Sequence, residues 1–185
     1  LWRNAQRQRR RHGKDFEICP PTYLFPEDYK RWNQERETSG YKDMYIMKPT
    51  ASSCGRGIRV IGKKQNVPKR SGYLVSKYLS KPHLLRGYKY DMRIYIVVTC
   101  FEPLKAYIFK QGLVRLATQP YSTAKGSLKK RFIHLTNFSI NKKAENYVKN
   151  TKPLGEGEST STAPDSNDDN EMSSKWSLEQ LRAEY

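Results

Sequence analysis

Lys48 is followed by Pro49 and then by a loop, Ala51-Ser52-Ser53-Cys54-Gly55-Arg56-Gly57. Its two glycines lack the Cβ that keeps a backbone away from a phosphate. A lysine at a stiffened strand end beside such a loop suits a polyphosphate, although the same residues would also make an ordinary hairpin connection. Further on, Lys89, Asp91 and Arg93 alternate within Tyr88-Lys89-Tyr90-Asp91-Met92-Arg93. Alternate residues of a strand share one face. Three charges on one face would make an ion-pair ladder or line a cleft, and another cation, Arg115 of Gly112-Leu113-Val114-Arg115, favours the cleft. His134-Leu135-Thr136-Asn137-Phe138-Ser139 offers groups that hold phosphate oxygens or orient a ribose, or that only make local turn hydrogen bonds. Leu74–Leu79 reads as a core strand or as one whose backbone meets a purine edge. No one of these segments is diagnostic. Their ordered set supplies cations, donors and bare backbone, which is what a triphosphate and a carboxylate require.

The elements that would position these groups are mostly strands. Residues 1–14 read as a basic helix with Leu1, Trp2 and Ala5 on its apolar side. Pro20-Pro21 breaks the chain, Tyr23–Phe25 is extended, and Glu27–Glu37 reads as a surface helix with Pro26 in its first turn. Strands are expected at Met44–Met47, Ile58–Ile61, Tyr73–Leu79, Arg93–Thr99, Lys105–Lys110 and Val114–Ala117. Pro103 and Gly112 divide the last three into an antiparallel meander. Residues 151–174 are Ser, Thr, Asp, Glu, Gly and Pro with almost nothing apolar, which predicts a disordered insertion. Order resumes at Lys175, with Ser177 capping a helix and Gln180 three residues on. Neither a Rossmann signature nor a Walker loop is present.

The bulk numbers narrow the partners. Of 185 residues only 36% are hydrophobic, against roughly 45–50% for a self-sufficient domain. The chain starts at Leu1 and stops in a helix-like run, and is expected to be a piece of a longer protein. Its net charge of +17 is unevenly spread. Residues 1–150 hold 32 Lys+Arg and 10 Asp+Glu (+22), and residues 151–185 hold 3 and 8 (−5). Such a body attracts polyanions: nucleic acid, an anionic membrane, nucleotide phosphates or an acidic polypeptide. Cys19, Cys54 and Cys100 are widely spaced and form no CxxC pair, which argues against zinc and for reduced thiols. No apolar run approaches the roughly 20 residues of a membrane span, and no signal peptide is visible.

The ordered set resembles the tubulin–tyrosine ligase-like family, and within it the glutamate-adding tubulin polyglutamylases. The matching segments are LWRN, IMKPTASSCGRGI, LVSKYLSKP, YKYDMRIYIVVT, GLVRLAT, FIHLTNFSINKK and KWSL, in the family's order across nearly the whole chain. The resemblance implies an α+β, ATP-grasp fold of mostly antiparallel strands, in which two lobes clasp ATP. Residues 1–79 would be the central lobe with its basic N-terminal helix. Residues 80–150 would begin a truncated C-terminal lobe, 151–174 would be the acidic, Ser-rich insertion, and 175–185 a helix start of that lobe.

Carried over by resemblance, Lys48 contacts the α-phosphate, and Arg56 and Gly57 belong to a phosphate-covering loop in which Arg56 also touches the protein substrate. Ser76, Lys77, Tyr78 and Leu79 form the adenine-binding strand. Lys89, Tyr90 and Asp91 meet adenine and ribose, with Arg93 nearby, and Thr136 and Asn137 contact ATP beside His134. Arg115, Ser139 and Lys175 hold the free amino acid. Lys48, Arg56 and Arg93 are the expected catalytic cations. Two positions depart from the family pattern: Cys54 stands where arginine is common, and Phe138 replaces a tyrosine. The cofactors implied are ATP and Mg2+, with no metal ligand in this segment and an acidic residue plus a Glu-x-Asn pattern expected downstream.

The reaction implied is an ATP-dependent carboxylate–amine ligation. A glutamate side chain in an acidic tubulin tail takes the γ-phosphoryl group, and the α-amino group of free L-glutamate attacks the acyl phosphate. Positioning and charge neutralisation do most of that work. The implied partners are tubulin or microtubules, with no nucleic acid and no membrane. The implied locations are cytoplasm and cytoskeleton, with cilium, flagellum or basal body as extensions. This piece alone is expected to be inactive. Competing readings are a non-catalytic microtubule-binding relative, a basic nucleic-acid-binding module, and a ligase for glycine or tyrosine.

Overall fold

The computed structural model describes residues 1–149 and 173–185. The insertion expected at 151–174 therefore lies outside the described residues, apart from Ser173 and Ser174. The backbone divides into two units. One comprises Leu1–Pro82 with Ser122–Arg131, and the other His83–Tyr121 with Phe132–Tyr185.

The first unit is built on four short strands: β1 (Thr22–Phe25), β2 (Tyr45–Pro49), β3 (Arg59–Ile61) and β4 (Tyr73–Lys77). They pair antiparallel in the order β1-β4-β2-β3. Strand alternation sends Tyr23, Phe25, Tyr45, Met47 and Val75 to one face, where they form a core with Trp32, Ile61 and Val67. Helix α1 (Trp2–His12) precedes this sheet and buries Ala5 alone. Its last turn carries Arg9, Arg10, Arg11 and His12, cations that suit the negative end of a helix. Helix α2 (Tyr29–Thr38) covers the core face.

The expected surface helix is thus more embedded than its polar sequence suggests. Trp32 is 0% and Arg36 2% exposed. The Arg36 guanidinium lies 4.3 Å over the Trp32 ring and donates to the carbonyls of Lys63 and Gln65, so its charge is shared while its stem packs. Pro26 lies in the turn between β1 and α2, and Asp28 rather than Pro26 flanks the helix. The Asp28 carboxylate accepts from the Leu24 N–H at 2.9 Å, which closes that turn.

The second unit orders its strands β5-β6-β7-β8, all antiparallel: β5 (Leu84–Leu85), β6 (Tyr88–Phe101), β7 (Leu104–Leu116) and β8 (Lys175–Ser177). The three strands expected between Arg93 and Ala117 are two long ones, with Glu102 and Pro103 at the hairpin tip. Gly112 does not interrupt β7. A Cβ there would stand 2.4 Å from the Arg93 carbonyl oxygen and 2.8 Å from Leu178 Cδ1, so glycine is the residue this close approach requires. The core joins Leu85, Val114, Leu116, Leu178 and Leu181, with Tyr88, Tyr90 and Trp176 packed against it.

Three short helices remain: α3 (Arg131–His134), whose first residue belongs to the first unit and the rest to the second, and α4 (Phe138–Asn141) and α5 (Leu178–Ala183), both in the second. Ser177 caps α5 as expected. Its hydroxyl accepts from the Gln180 N–H at 3.1 Å, and the Gln180 side chain accepts from the Ser177 N–H at 2.8 Å. The outer part of the β6–β7 hairpin is bare on both faces among the described residues: Ile96, Val97 and Phe109 are each about 60% exposed, Ile108 is 69% and Phe101 reaches 82%.

Candidate functional site

In the first unit, Lys48 follows Met47 on β2 opposite Leu74 of β4. Because Met47 is in the core, alternation turns Lys48, Ile46, Leu74 and Ser76 to the face away from α2. Lys48 is exposed, and its ammonium has no hydrogen-bond or ion-pair partner among the described residues. Ser76 is buried, and its hydroxyl shares a 2.9 Å hydrogen bond with that of Thr22, so it braces β1 against β4.

Lys77 turns the other way and pairs with Asp43 at 2.9 Å. β4 ends there, and the expected adenine strand is correspondingly shorter. The Lys77 and Tyr78 N–H groups are held by the Pro21 and Met44 carbonyls at 2.8 Å each. Leu79 lies past the strand and is 65% exposed.

The loop after β2 has the geometry that close backbone approach demands. Cys54, Gly55 and Gly57 have φ of 58°, 74° and 71°. Two successive left-handed residues turn neighbouring N–H groups away from the usual ladder directions. Arg56 projects from this loop, exposed, and its guanidinium has no hydrogen-bond or ion-pair partner among the described residues. The loop is tethered from far along the chain: Arg131 Nη2 donates to the Gly55 carbonyl at 3.0 Å. Arg131 was not among the sequence candidates, and nothing local to it signals that role.

On the opposite side of this sheet, a cavity of about 430 Å³ is lined by Tyr23, Glu35, Asp43, Tyr45 and Lys77 among others. Its polar groups satisfy one another: the Tyr23 hydroxyl donates to Glu35, and Asp43 meets Lys77. Burial, then the Glu35 hydrogen bond, pushes the Tyr23 hydroxyl pKa well above its ordinary value. It stays protonated and structural.

In the second unit the alternation of Lys89, Asp91 and Arg93 holds. Tyr90, between them, packs with the core on the α5 side, and its hydroxyl lies 3.0 Å from His83 Nδ1. The side chain of Tyr90 is thereby separated from those of Lys89 and Asp91, with which it was grouped. Asp91 stands opposite Arg115, and Arg115 opposite Lys175. Arg115 Nε donates to Asp91 Oδ1 at 2.9 Å and Nη2 to Oδ2 at 2.5 Å. The Thr136 hydroxyl donates to the same Oδ2 at 2.6 Å.

Lys89 donates to the His134 carbonyl at 3.0 Å. His134 is 2% exposed and lies edge-on to Tyr121. The Lys175 ammonium sits 3.8 Å over the Phe138 ring, so the residue that departs from the family's tyrosine still meets a cation. The Arg93 guanidinium has no hydrogen-bond or ion-pair partner among the described residues. Asn137 precedes α4 and Ser139 lies within it.

A buried bracket that the sequence did not single out holds this segment. Asn141 is 1% exposed. Its Oδ1 accepts from the Thr118 N–H and hydroxyl, and its Nδ2 donates to the carbonyls of Leu135 and Asn137. One amide thus fixes Thr136 relative to the end of β7. Asn141 lies inside the FIHLTNFSINKK segment, but nothing in its type or spacing separates it from a surface residue.

Among the described residues no group of three His, Cys, Asp or Glu could hold a metal ion, and no helix is long and apolar enough to cross a membrane. Each unit by itself carries groups of the kind that hold phosphate or hydroxyl oxygens: a lysine and a left-handed glycine loop in the first, and a carboxylate, a hydroxyl and cations on one face of the second.

The family model for the tubulin-tyrosine ligase family matches residues 1–183. Tubulin monoglutamylase TTLL4 of Mus musculus is 45% identical over 151 residues, which are 81% of this chain and 13% of that protein. Tubulin polyglutamylase TTLL5 of Mus musculus is 38% identical over 150 residues, 80% of this chain and 11% of that protein. Tubulin polyglutamylase ttll-4 of Caenorhabditis elegans is 39% identical over 145 residues, 78% and 24%. The chain therefore spans only a small part of the length of these relatives. With a match across nearly its whole length, and the α+β antiparallel architecture that the resemblance implied, the chain belongs to the tubulin-tyrosine ligase family.

Proposed function

We propose that this chain is part of the catalytic region of an ATP-dependent carboxylate–amine ligase that adds L-glutamate to glutamate side chains of acidic tubulin tails. The observation that carries the reading is the similarity to proteins named as tubulin glutamylases. The polar face of the second unit supports it, since Arg115, Lys175 and Arg93 offer cations to a carboxylate there.

In the first unit Lys48 neutralises phosphate charge, Arg56 and Gly57 cover it, and Ser76–Leu79 receives the base through its backbone end. In the second, Lys89, Tyr90 and Asp91, with Thr136 and Asn137, serve the nucleoside. Tyr90 contributes there through its backbone. Arg115 grips the amino acid's carboxylate, where a planar fork is better than a point charge, with Ser139 and Lys175 beside it. ATP supplies the phosphoryl group that makes a carboxylate a competent electrophile. No residue of this chain is assigned to Mg2+. The basic body, +22 over residues 1–150, attracts a glutamate-rich tail and places the protein on the cytoskeleton.

The test uses the full-length protein with labelled L-glutamate, ATP and microtubules, against microtubules whose acidic tails have been removed by proteolysis. Incorporation that needs both ATP and the tails is expected, with glycine and tyrosine poor donors. Microtubule binding without incorporation would refute the ligase reading in favour of a non-catalytic relative.

A further inference from the structure

The Asp91 carboxylate has more partners than a side chain reserved for a ribose needs. Its Oδ1 accepts from Arg115 Nε at 2.9 Å, and its Oδ2 accepts from Arg115 Nη2 at 2.5 Å and from the Thr136 hydroxyl at 2.6 Å. The pair sits in a half-buried setting, the Arg115 side chain 15% and the Asp91 side chain 35% exposed. We propose that Asp91 is a positioning residue for the incoming amino acid: held by Thr136, it fixes the Arg115 guanidinium so that its unused edge is presented to a free carboxylate. This rests on the reading of Arg115 as the amino-acid contact.

The chemistry follows from the shape of a guanidinium. It carries five N–H groups in one plane and two edges that match a carboxylate. Asp91 takes the side edge, Nε with Nη2. The end edge, one Nη1 proton with the second Nη2 proton, makes no hydrogen bond among the described residues. One carboxylate therefore orients the fork and leaves a second bidentate edge for another.

Register supports the direction. Arg115 lies across from Lys175 on β8, so the cation beside it stands on the strand away from Asp91. Asn141 fixes the segment that carries Thr136 through the Leu135 and Asn137 carbonyls, giving the chain of contacts a rigid origin. A lone arginine on a strand would sweep several rotamers, and each would aim the edge differently. Two charge-assisted hydrogen bonds remove that freedom before the ligand arrives.

The experiment measures L-glutamate and ATP affinity separately on the full-length protein, by equilibrium dialysis with each labelled ligand. The variants are Asp91→Asn, Thr136→Val, Arg115→Ala and the Asp91→Asn/Arg115→Ala pair. Loss of a charged hydrogen-bond partner predicts glutamate affinity about 10-fold or more weaker in Asp91→Asn and weakened by a smaller factor in Thr136→Val. ATP affinity, to which Asp91 and Thr136 contribute in the proposed function, should fall by a smaller factor than glutamate affinity in Asp91→Asn, and Arg115→Ala should leave it within about 3-fold of wild type. The double variant should bind glutamate no more weakly than Arg115→Ala, because Asp91 acts through Arg115.

Unchanged glutamate affinity in Asp91→Asn, a loss confined to ATP, or additive losses in the double variant would each overturn the proposal. Should Asp91→Asn fail to fold, Thr136→Val decides, and an unchanged glutamate affinity there overturns it. Wild-type protein that binds glutamate but leaves tubulin unmodified would refute the proposed function while these comparisons still decide the role of Asp91.

Discussion

Replacing Gly57 by alanine should distort the loop that follows Lys48, and a second glycine calibrates the effect. Gly57 has φ +71°, and a Cβ there would stand 2.7 Å from Pro49 Cγ. Gly13 has φ +79° with nothing within 4 Å of its Cβ position. An L-residue in the left-handed region costs roughly 1–2 kcal/mol, and both variants incur that. Only Gly57→Ala adds a clash, and it is with a proline ring that cannot swing aside. Forcing an extra methyl into such contact typically costs about 1–3 kcal/mol. Gly13→Ala should therefore lower stability by about 1–2 kcal/mol and Gly57→Ala by about 2–5 kcal/mol.

The strain at Gly57 can also be relieved by moving the loop, which shows in function rather than stability. ATP affinity should then fall about 10-fold, the equivalent of about 1.4 kcal/mol. Denaturant unfolding and ATP dialysis on the full-length protein separate the two outcomes. Equal stability losses in both variants, together with unchanged ATP affinity in Gly57→Ala, would refute the reasoning that Pro49 walls this loop.

Gly112→Ala should cost about 3 kcal/mol or more, because its Cβ would meet the Arg93 backbone 2.4 Å away; a Tm within the wild-type error would exclude that contact. Ser177→Ala removes the capping box of α5 and should cost about 1 kcal/mol, measured by urea unfolding. Trp32→Ala should cost about 3–5 kcal/mol, since the indole is fully buried against Phe25 and Tyr45. Trp32→Phe should cost clearly less, because it also removes a buried indole N–H with no hydrogen-bond partner. Binding to tailed microtubules should weaken steadily between about 0.1 M and about 1 M salt, as the screening length falls from about 10 Å to about 3 Å; a flat profile in cosedimentation would remove charge as the attraction.

What the sequence made legible was whatever depends on near neighbours. The alternation of Lys89, Asp91 and Arg93 needs only a strand, and the Ser177 cap only a helix three residues long. Lys48 before Pro49 marks a strand end by itself. What stayed hidden depends on register or on distant chain. That Arg115 faces Asp91 follows from a hairpin whose tip is at Glu102 and Pro103, and two register shifts between Ile94 and Cys100 move that alignment. Gly112 looked like punctuation because its constraint comes from Leu178, 66 residues later by number, as well as from Arg93. Arg131 reaches Gly55 across a sequence separation of 76. Arg36 was read as surface because its charge implies water, whereas two carbonyls and an indole ring replace that water.

The uncovered end of the β6–β7 hairpin determines how the polypeptide of residues 1–185 will handle in the test tube. Isoleucine, valine and aromatic groups meet solvent on both sides of a two-stranded ribbon, with no second layer among the described residues to shield them. Such a ribbon is adhesive. Repulsion from the net charge of +17 slows encounters in dilute buffer, but added electrolyte weakens that repulsion while leaving the greasy contacts intact. Turbidity of this polypeptide should accordingly climb with ionic strength, and charged replacements at Val97 and Ile108 should keep its solutions clear.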